Sequence, residues 1–275
     1  MMEGVVRIID SRKANSIKRT LEDIWSYREL LYYFVWKELK IRYKQTLIGA
    51  AWAVLQPLIA MAIFWLVFGT ILDVQTDVPY PIFAYSGLVI WYYFSGSLTQ
   101  SSASVLNNSH ILTKVYFPRI LLPLSYCLIG LVDYIIATVM LIVLMLLFGI
   151  MPSAWLLLLF IPFSMSVLLA SGLGFWLSAV SAKYRDVKYI TPFFVQLLLF
   201  ITPIIYPSTT IPPSFRWIIN INPLAPIIEA QRAFVLGTGL SDWIPLGISL
   251  LMTLAIFFLG VFYFAHRERQ MADVI

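Results

Sequence analysis

"AWLLLLFIPFSMSVLLASGLGFWLSAVSAKYRDVKYITPFFVQLLLFITPIIY", residues 154–206, decides how this chain is built. Two apolar runs, 154–180 and 190–206, flank a short loop, AKYRDVKYI (182–190). That loop gathers Lys183, Arg185, Asp186 and Lys188 in a chain that is 60% hydrophobic and only 12% charged. A bilayer core about 30 Å thick is crossed by about 20 apolar residues in a helix. The first run is long enough. The second, at 17 residues, suits a tilted, broken or partly re-entrant helix.

The same rhythm continues outward, with runs at 49–72, 81–104 and 120–148 before the quoted stretch and 244–265 after it. A mean hydropathy of +0.85 means more apolar surface than a soluble domain can hide. Backbone groups in lipid must be satisfied within the segment unless a barrel closes, and these runs lack strand-like alternation. The fold expected is therefore an all-α membrane protein with six transmembrane helices. Short loops leave no room for a second soluble domain in 275 residues. The expected organisation is an N-terminal cytoplasmic segment (1–48), a six-span domain (49–265) and a cytoplasmic tail (266–275).

Lysine and arginine accumulate on the cytoplasmic side of membrane proteins. Of the 19 such residues, 17 lie before residue 49, in loops 105–119 and 181–189, or in the tail. With six spans all these segments share one face, so both termini are expected inside. Only Arg216 and Arg232 fall in the last outer loop, 207–243. The net charge of +5 is thus a topology signal, and no nucleic-acid partner is predicted. The first 20 residues lack the apolar core of a signal peptide, so the start is expected to be retained. Cys127, inside the third run, has no internal disulfide partner.

Residues 20–45 are too charged to span. Thr20 with Asp23, and Ser26 with Glu29, each fit a capping box at a helix start. Ile24, Tyr27, Leu31, Phe34 and Val35 recur at helical spacing, against a polar set of Lys37, Lys40, Arg42 and Lys44. This predicts an amphipathic helix in the cytoplasmic interface, its cations near anionic headgroups; a solvated helix leading into the first span is the alternative. In the last outer loop Asn222 suits a cap, Pro223 a first helical position and Gly237 a stop. The enclosed PLAPIIEAQRAFVL is too short to span, which favours re-entrant or interfacial helices there. Glu229 and Arg232, three apart, fit a solvated pair on its surface.

No GxxxxGK[ST] phosphate loop occurs, so this chain alone is not expected to be a P-loop ATPase. Metal-ligand and catalytic carboxylate clusters are missing too, and His110 and His266 lie far apart in sequence, so no enzyme activity is expected. Asp133 sits mid-span at a cost of about 2.5–3.5 kcal/mol. It suits either a proton-binding role or, with no Lys, Arg or His in the spans to pair with, a hydrogen-bonded residue holding helices together.

A chain without catalytic centre or ion relay, but with compact charged inner loops, fits one driven by a docking partner. His110, Lys114, Tyr116 and Arg119 belong to the first inner loop. Lys183, Tyr184, Arg185, Asp186 and Lys188 belong to the second, where Arg185 suits a bidentate carboxylate contact. Simple positive-inside retention explains the charges equally well. Aromatics within the runs form a second candidate set: Phe64, Trp65 and Phe68; Trp91, Tyr92 and Tyr93; Phe193, Phe194 and Phe200. Their faces can stack on sugar rings without fixing sugar identity. Gap-filling between helices is the plainer role for each.

Four separated stretches, FVWKELKIRYKQTLIGAAWAVLQPL (34–58), ILTKVYFPRILLPLS (111–125), KYRDVKYITPF (183–193) and INPLAPIIEAQR (221–232), resemble the ABC-2 type permeases that export bacterial polysaccharides. The likeness is greatest to O-antigen permeases. It implies a homodimer of six-span subunits in the bacterial inner membrane, with two copies of an ABC ATPase subunit that holds ATP and magnesium. It implies no cofactor in this chain, and a polymer on undecaprenyl diphosphate as substrate, moved outward. It also implies that the two inner loops contact the ATPase. A small-molecule ABC-2 exporter and a proton-coupled flippase remain rival readings.

Overall fold

The computed structural model describes residues 17–44, 48–112 and 114–268. Arg7, Arg12, Lys13 and Arg269 lie outside these residues, as does the tail beyond Glu268. Every regular element among the described residues is helical.

Helices α1 (Ile17–Ser26) and α2 (Arg28–Lys44) run on almost without a break, through Tyr27 N–H to the Asp23 carbonyl at 3.0 Å. Neither expected capping box starts a helix. Thr20 lies inside α1, and the Ser26 hydroxyl donates backward to the Glu22 carbonyl at 2.7 Å. A serine bonded this way lets the helix continue instead of opening a new one. Helix α2 does not divide into an apolar and a polar side as expected, since exposed aromatics lie among its charges; it is seated by Phe34, buried against Phe117 at 5.3 Å in a cluster with Leu121, Leu122, Ile24 and Leu31. Trp25, Tyr32, Tyr33 and Trp36 stay exposed.

Next come Gly49–Ala51, α3 (Trp52–Phe64) and a π-helical stretch Trp65–Ile71, in which Leu72 N–H reaches back five residues to Val67. Little of this segment is buried within the chain. Helix α4 (Tyr80–Asn107) is the opposite, buried along nearly its whole length as the axis of the bundle. Its hydroxyl-rich half explains itself by packing. Ser101 donates to the Pro123 carbonyl at 2.7 Å, and the Ser102 carbonyl accepts from Ser181 at 2.7 Å. Small hydroxyls thus tie α4 to its two neighbours, α6 (Leu121–Leu147) and α7 (Phe160–Ser181).

Helix α5 (Ser109–Leu112) is a single turn between α4 and α6. Helix α8 (Val187–Ile201) stops short where Pro203 forces Thr202 into extended backbone. After it, α9 (Arg216–Ile221) and α10 (Leu224–Leu236) fill the stretch before α11 (Ile244–Arg267). Asn222 does cap α10, accepting from Leu224 N–H at 3.0 Å, and Gly237 ends it in the left-handed region at φ 73°. Helices α7 and α11 touch backbone to backbone, because a Cβ on Gly260 would lie 2.1 Å from the Gly172 carbonyl oxygen. Small residues permit this approach in membrane helices.

Among the described residues four helical segments, not the expected six, have the length and apolarity to cross a membrane: Gly49–Ile71, Leu121–Leu147, Ala154–Ser181 and Ile244–Arg267. Helix α4 is 28 residues long but diluted by its serines, and α8 has only 15 residues.

Candidate functional site

A cleft of about 640 Å³ opens between the last turns of α2, the start of α3, the middle of α4 and the middle of α6. Its polar floor is built from three helices. The end of α2 supplies Arg42 and Tyr43, α4 supplies Gln100, and α6 supplies Asp133. Arg42 forms an ion pair with one Asp133 oxygen, and the Tyr43 hydroxyl donates to the other. The second Arg42 nitrogen donates to the Gln100 side-chain oxygen at 2.7 Å. Burial and the neighbouring carboxylate push the Tyr43 phenol up from its ordinary value, so the hydroxyl stays a donor. Asp133 therefore has the cationic partner that the spans themselves lack. It comes from α2, 91 positions away in sequence. Arg42 correspondingly leaves the expected headgroup-facing set and points into the bundle.

Lys37, Lys40 and Lys44 remain on the other side of α2, around a separate hollow of about 520 Å³ that Tyr33 and Trp36 also line. Lys37 pairs with Glu38 at 3.6 Å.

The three expected aromatic groups separate sharply. Trp91 and Tyr93 are core residues at 4% and 2% exposure. Tyr93 donates to the Cys127 carbonyl at 3.2 Å and packs edge-on against Phe163 at 5.0 Å. Trp91 is enclosed in the core, whereas Tyr93, although nearly inaccessible, forms part of the cleft wall. Tyr92, on the neighbouring helical face, is half-buried and borders the cleft. Phe64 and Phe68 pack on Tyr80 and Phe83, whereas Trp65, Phe193, Phe194 and Phe200 are exposed.

The two basic loops emerge at one end of the bundle, since the Ser181–Ser102 bond joins α7 and α4 close to where both finish. His110, Lys114 and Tyr116 are exposed there, as are Lys183, Tyr184, Arg185, Asp186 and Lys188. Lys183 and Lys188 lie over the rings of Tyr184 and Tyr189 at 5.1 and 5.9 Å. Arg119 is different. Its backbone N–H donates to the Glu268 carboxylate at 2.5 Å and its guanidinium to the Glu268 carbonyl at 2.9 Å, fastening this loop to the end of α11. Burial pushes the Glu268 carboxyl up from its ordinary value, against the pull of Arg119.

At the far end Arg232 is not part of a solvated pair. It is buried, stacks on Phe83 with 3.6 Å from guanidinium carbon to ring centroid, and donates to the Ile204 carbonyl at 3.0 Å. The frayed carbonyls beyond α8 give it partners that a three-residue spacing to Glu229 does not reveal.

The chain is 32% identical over 212 residues to an O-antigen export system permease protein of Klebsiella pneumoniae, covering 76% of this chain and 82% of that one. It is 26% identical over 260 residues to a protein of the same name from Myxococcus xanthus, covering 94% and 99%. It is 23% identical over 237 residues to a polysialic acid transport protein of Escherichia coli, covering 86% and 92%. The model of the ABC-2 type transporter family matches residues 29–236, which take in the cleft, both basic loops and every helix from α2 to α10. With that much of the chain matched, it belongs to the ABC-2 type transporter family.

Proposed function

We propose that this chain is the membrane subunit of an ATP-driven exporter that carries polysaccharide on undecaprenyl diphosphate out across the bacterial inner membrane. The observation that carries the reading is its likeness, over 76% of its length, to a permease named for O-antigen export. Two copies work with two copies of an ATPase subunit, which holds the ATP and magnesium. Exposed Ile59 and Ile63 on α3, and Phe193 and Phe194 on α8, are apolar surface that lipid or a second copy would cover. In this reading α4 and α8 join the four long apolar helices as spans, α9 and α10 are re-entrant, and both termini are cytoplasmic. The α1–α2 pair lies in the inner interface, where amphipathic aromatic side chains such as Trp25 and Trp36 belong. The exposed loop 183–189 then receives the ATPase.

Deleting the gene tests this. Polymer should accumulate inside the cell and vanish from the surface, and should return with the intact gene. Unchanged surface polysaccharide in the deletion strain would refute polysaccharide export, and a defect confined to small-molecule efflux would favour the drug-exporter alternative.

A further inference from the structure

The polar group of the cleft holds α2 to the bundle, yet it is not closed over. Arg42 and Asp133 keep 29% and 28% of their side-chain surface exposed, and the cleft's volume of about 640 Å³ falls within the range of ligand pockets. A pair serving only to fasten helices gains from exclusion of water, since exposure screens it. These two groups are instead left facing a space large enough for a ligand.

The chemistry of the lining narrows what that ligand is. Its charged groups are Arg42, Asp133 and Glu38, and each has an opposite charge beside it: Arg42 on Asp133, and Lys37 on Glu38 at 3.6 Å. A cleft whose charges are compensated internally favours neither an anion nor a cation. It still offers an acceptor-only carboxylate, a donor-only guanidinium and the Gln100 amide, which both donates and accepts. Neighbouring hydroxyls of a sugar ring both donate and accept, so they can bridge such a set. Trp52 and Tyr92 border the same space and supply apolar ring faces of the kind that pack on the C–H face of a pyranose. Lysines 37, 40 and 44, the groups suited to phosphate, line the other hollow.

We propose that the cleft is a saccharide-binding site, in which Arg42, Asp133 and Gln100 hold sugar hydroxyls while Tyr92 and Trp52 flank the ring. This rests on the export reading above and deepens it. Uncharged sugar is recognised here, apart from the lipid diphosphate.

The test uses the chain with its ATPase partner in lipid nanodiscs and two probes. One is undecaprenyl diphosphate alone, and the other is the glycan-bearing lipid extracted from cells blocked in export. Wild type should bind the glycan-bearing lipid more tightly than the bare one. Gln100→Leu and Tyr92→Ala, which leave the Arg42–Asp133 pair in place, should each weaken the glycan-bearing lipid about tenfold and leave the bare lipid unchanged. Equal weakening of both probes, or of neither, overturns the saccharide site while leaving export intact. If wild type binds neither lipid, the export reading falls and the site falls with it.

Discussion

Replacing Asp133 with alanine strands the Arg42 guanidinium, and the cost can be bounded from its surroundings. Breaking a fully buried ion pair costs about 3–5 kcal/mol, whereas an exposed pair contributes about 0.2–1 kcal/mol. With 29% and 28% of the two side chains exposed, the pair falls between these limits, at about 2 kcal/mol. The Tyr43 hydroxyl loses its acceptor as well, for about 1 kcal/mol more. Asp133→Ala should therefore destabilise the chain by about 3 kcal/mol. Arg42→Ala should cost about 2 kcal/mol, since Tyr43 still satisfies one carboxylate oxygen. Because the two side chains share one interaction, the double variant should cost about 1–2 kcal/mol less than the sum of the singles. Equilibrium unfolding of the purified chain in mixed micelles measures all three. Additivity within about 0.5 kcal/mol would show that Arg42 and Asp133 do not interact.

Tyr93→Ala should destabilise by about 3 kcal/mol or more, because it opens a cavity beside the stacked rings of Tyr134 and Phe163; Tyr92→Ala should keep the melting temperature close to wild type, and thermal unfolding of the two variants side by side checks the contrast. Gly260→Ala has no room beside the Gly172 carbonyl, so α7 and α11 must separate. Its yield of folded protein on size-exclusion chromatography should collapse, whereas Gly247→Ala, with open space around it, should behave as wild type. Arg185→Glu, on the exposed loop between α7 and α8, should lower coupled ATPase activity and export without changing membrane insertion. Normal export from that variant would remove Arg185 from the docking contact.

The long helices were legible because length and continuous apolarity are properties of local sequence. Five of the six expected runs match helices to within a few residues, and α8 departs at the proline that ends it. The cap at Asn222 and the stop at Gly237 were legible for the same reason, since both act on neighbouring backbone. The cleft was not. Arg42 and Lys44 look alike along a helix that carries cations on several sides, and only the tertiary packing of α2 on the bundle distinguishes them. Trp91, Tyr92 and Tyr93 are adjacent, yet Trp91 is enclosed, Tyr93 is buried in the cleft wall and Tyr92 is half-exposed beside the cleft. Successive helical residues point about 100° apart, and a buried central helix shows no amphipathic pattern from which to read that angle. The Arg119–Glu268 contact spans 149 positions and has no local signature.

The placement of α2 connects the basic end of the bundle to the cleft. Near the middle of α2, Phe34 is wedged against Phe117, which follows the exposed Tyr116 in the first basic loop. At its C-terminal end, Arg42 and Tyr43 hold Asp133 on α6 and, through Arg42, Gln100 on α4. The helix is unbroken between these points. The loop itself is fastened through Arg119 to the end of α11, and α11 is locked to α7 where Gly260 meets Gly172. A displacement applied at Tyr116 therefore has two outlets. It can strain the Arg119–Glu268 contact, or it can carry Phe117 and α2 and pull the Arg42–Tyr43 pair across the cleft floor. The second route disturbs an ion pair that keeps 29% and 28% of its side-chain surface exposed, whereas the first opposes two hydrogen bonds between Arg119 and Glu268. The contacts thus run without a gap from the first basic loop through α2 to Asp133, and they end on side chains that face the cleft.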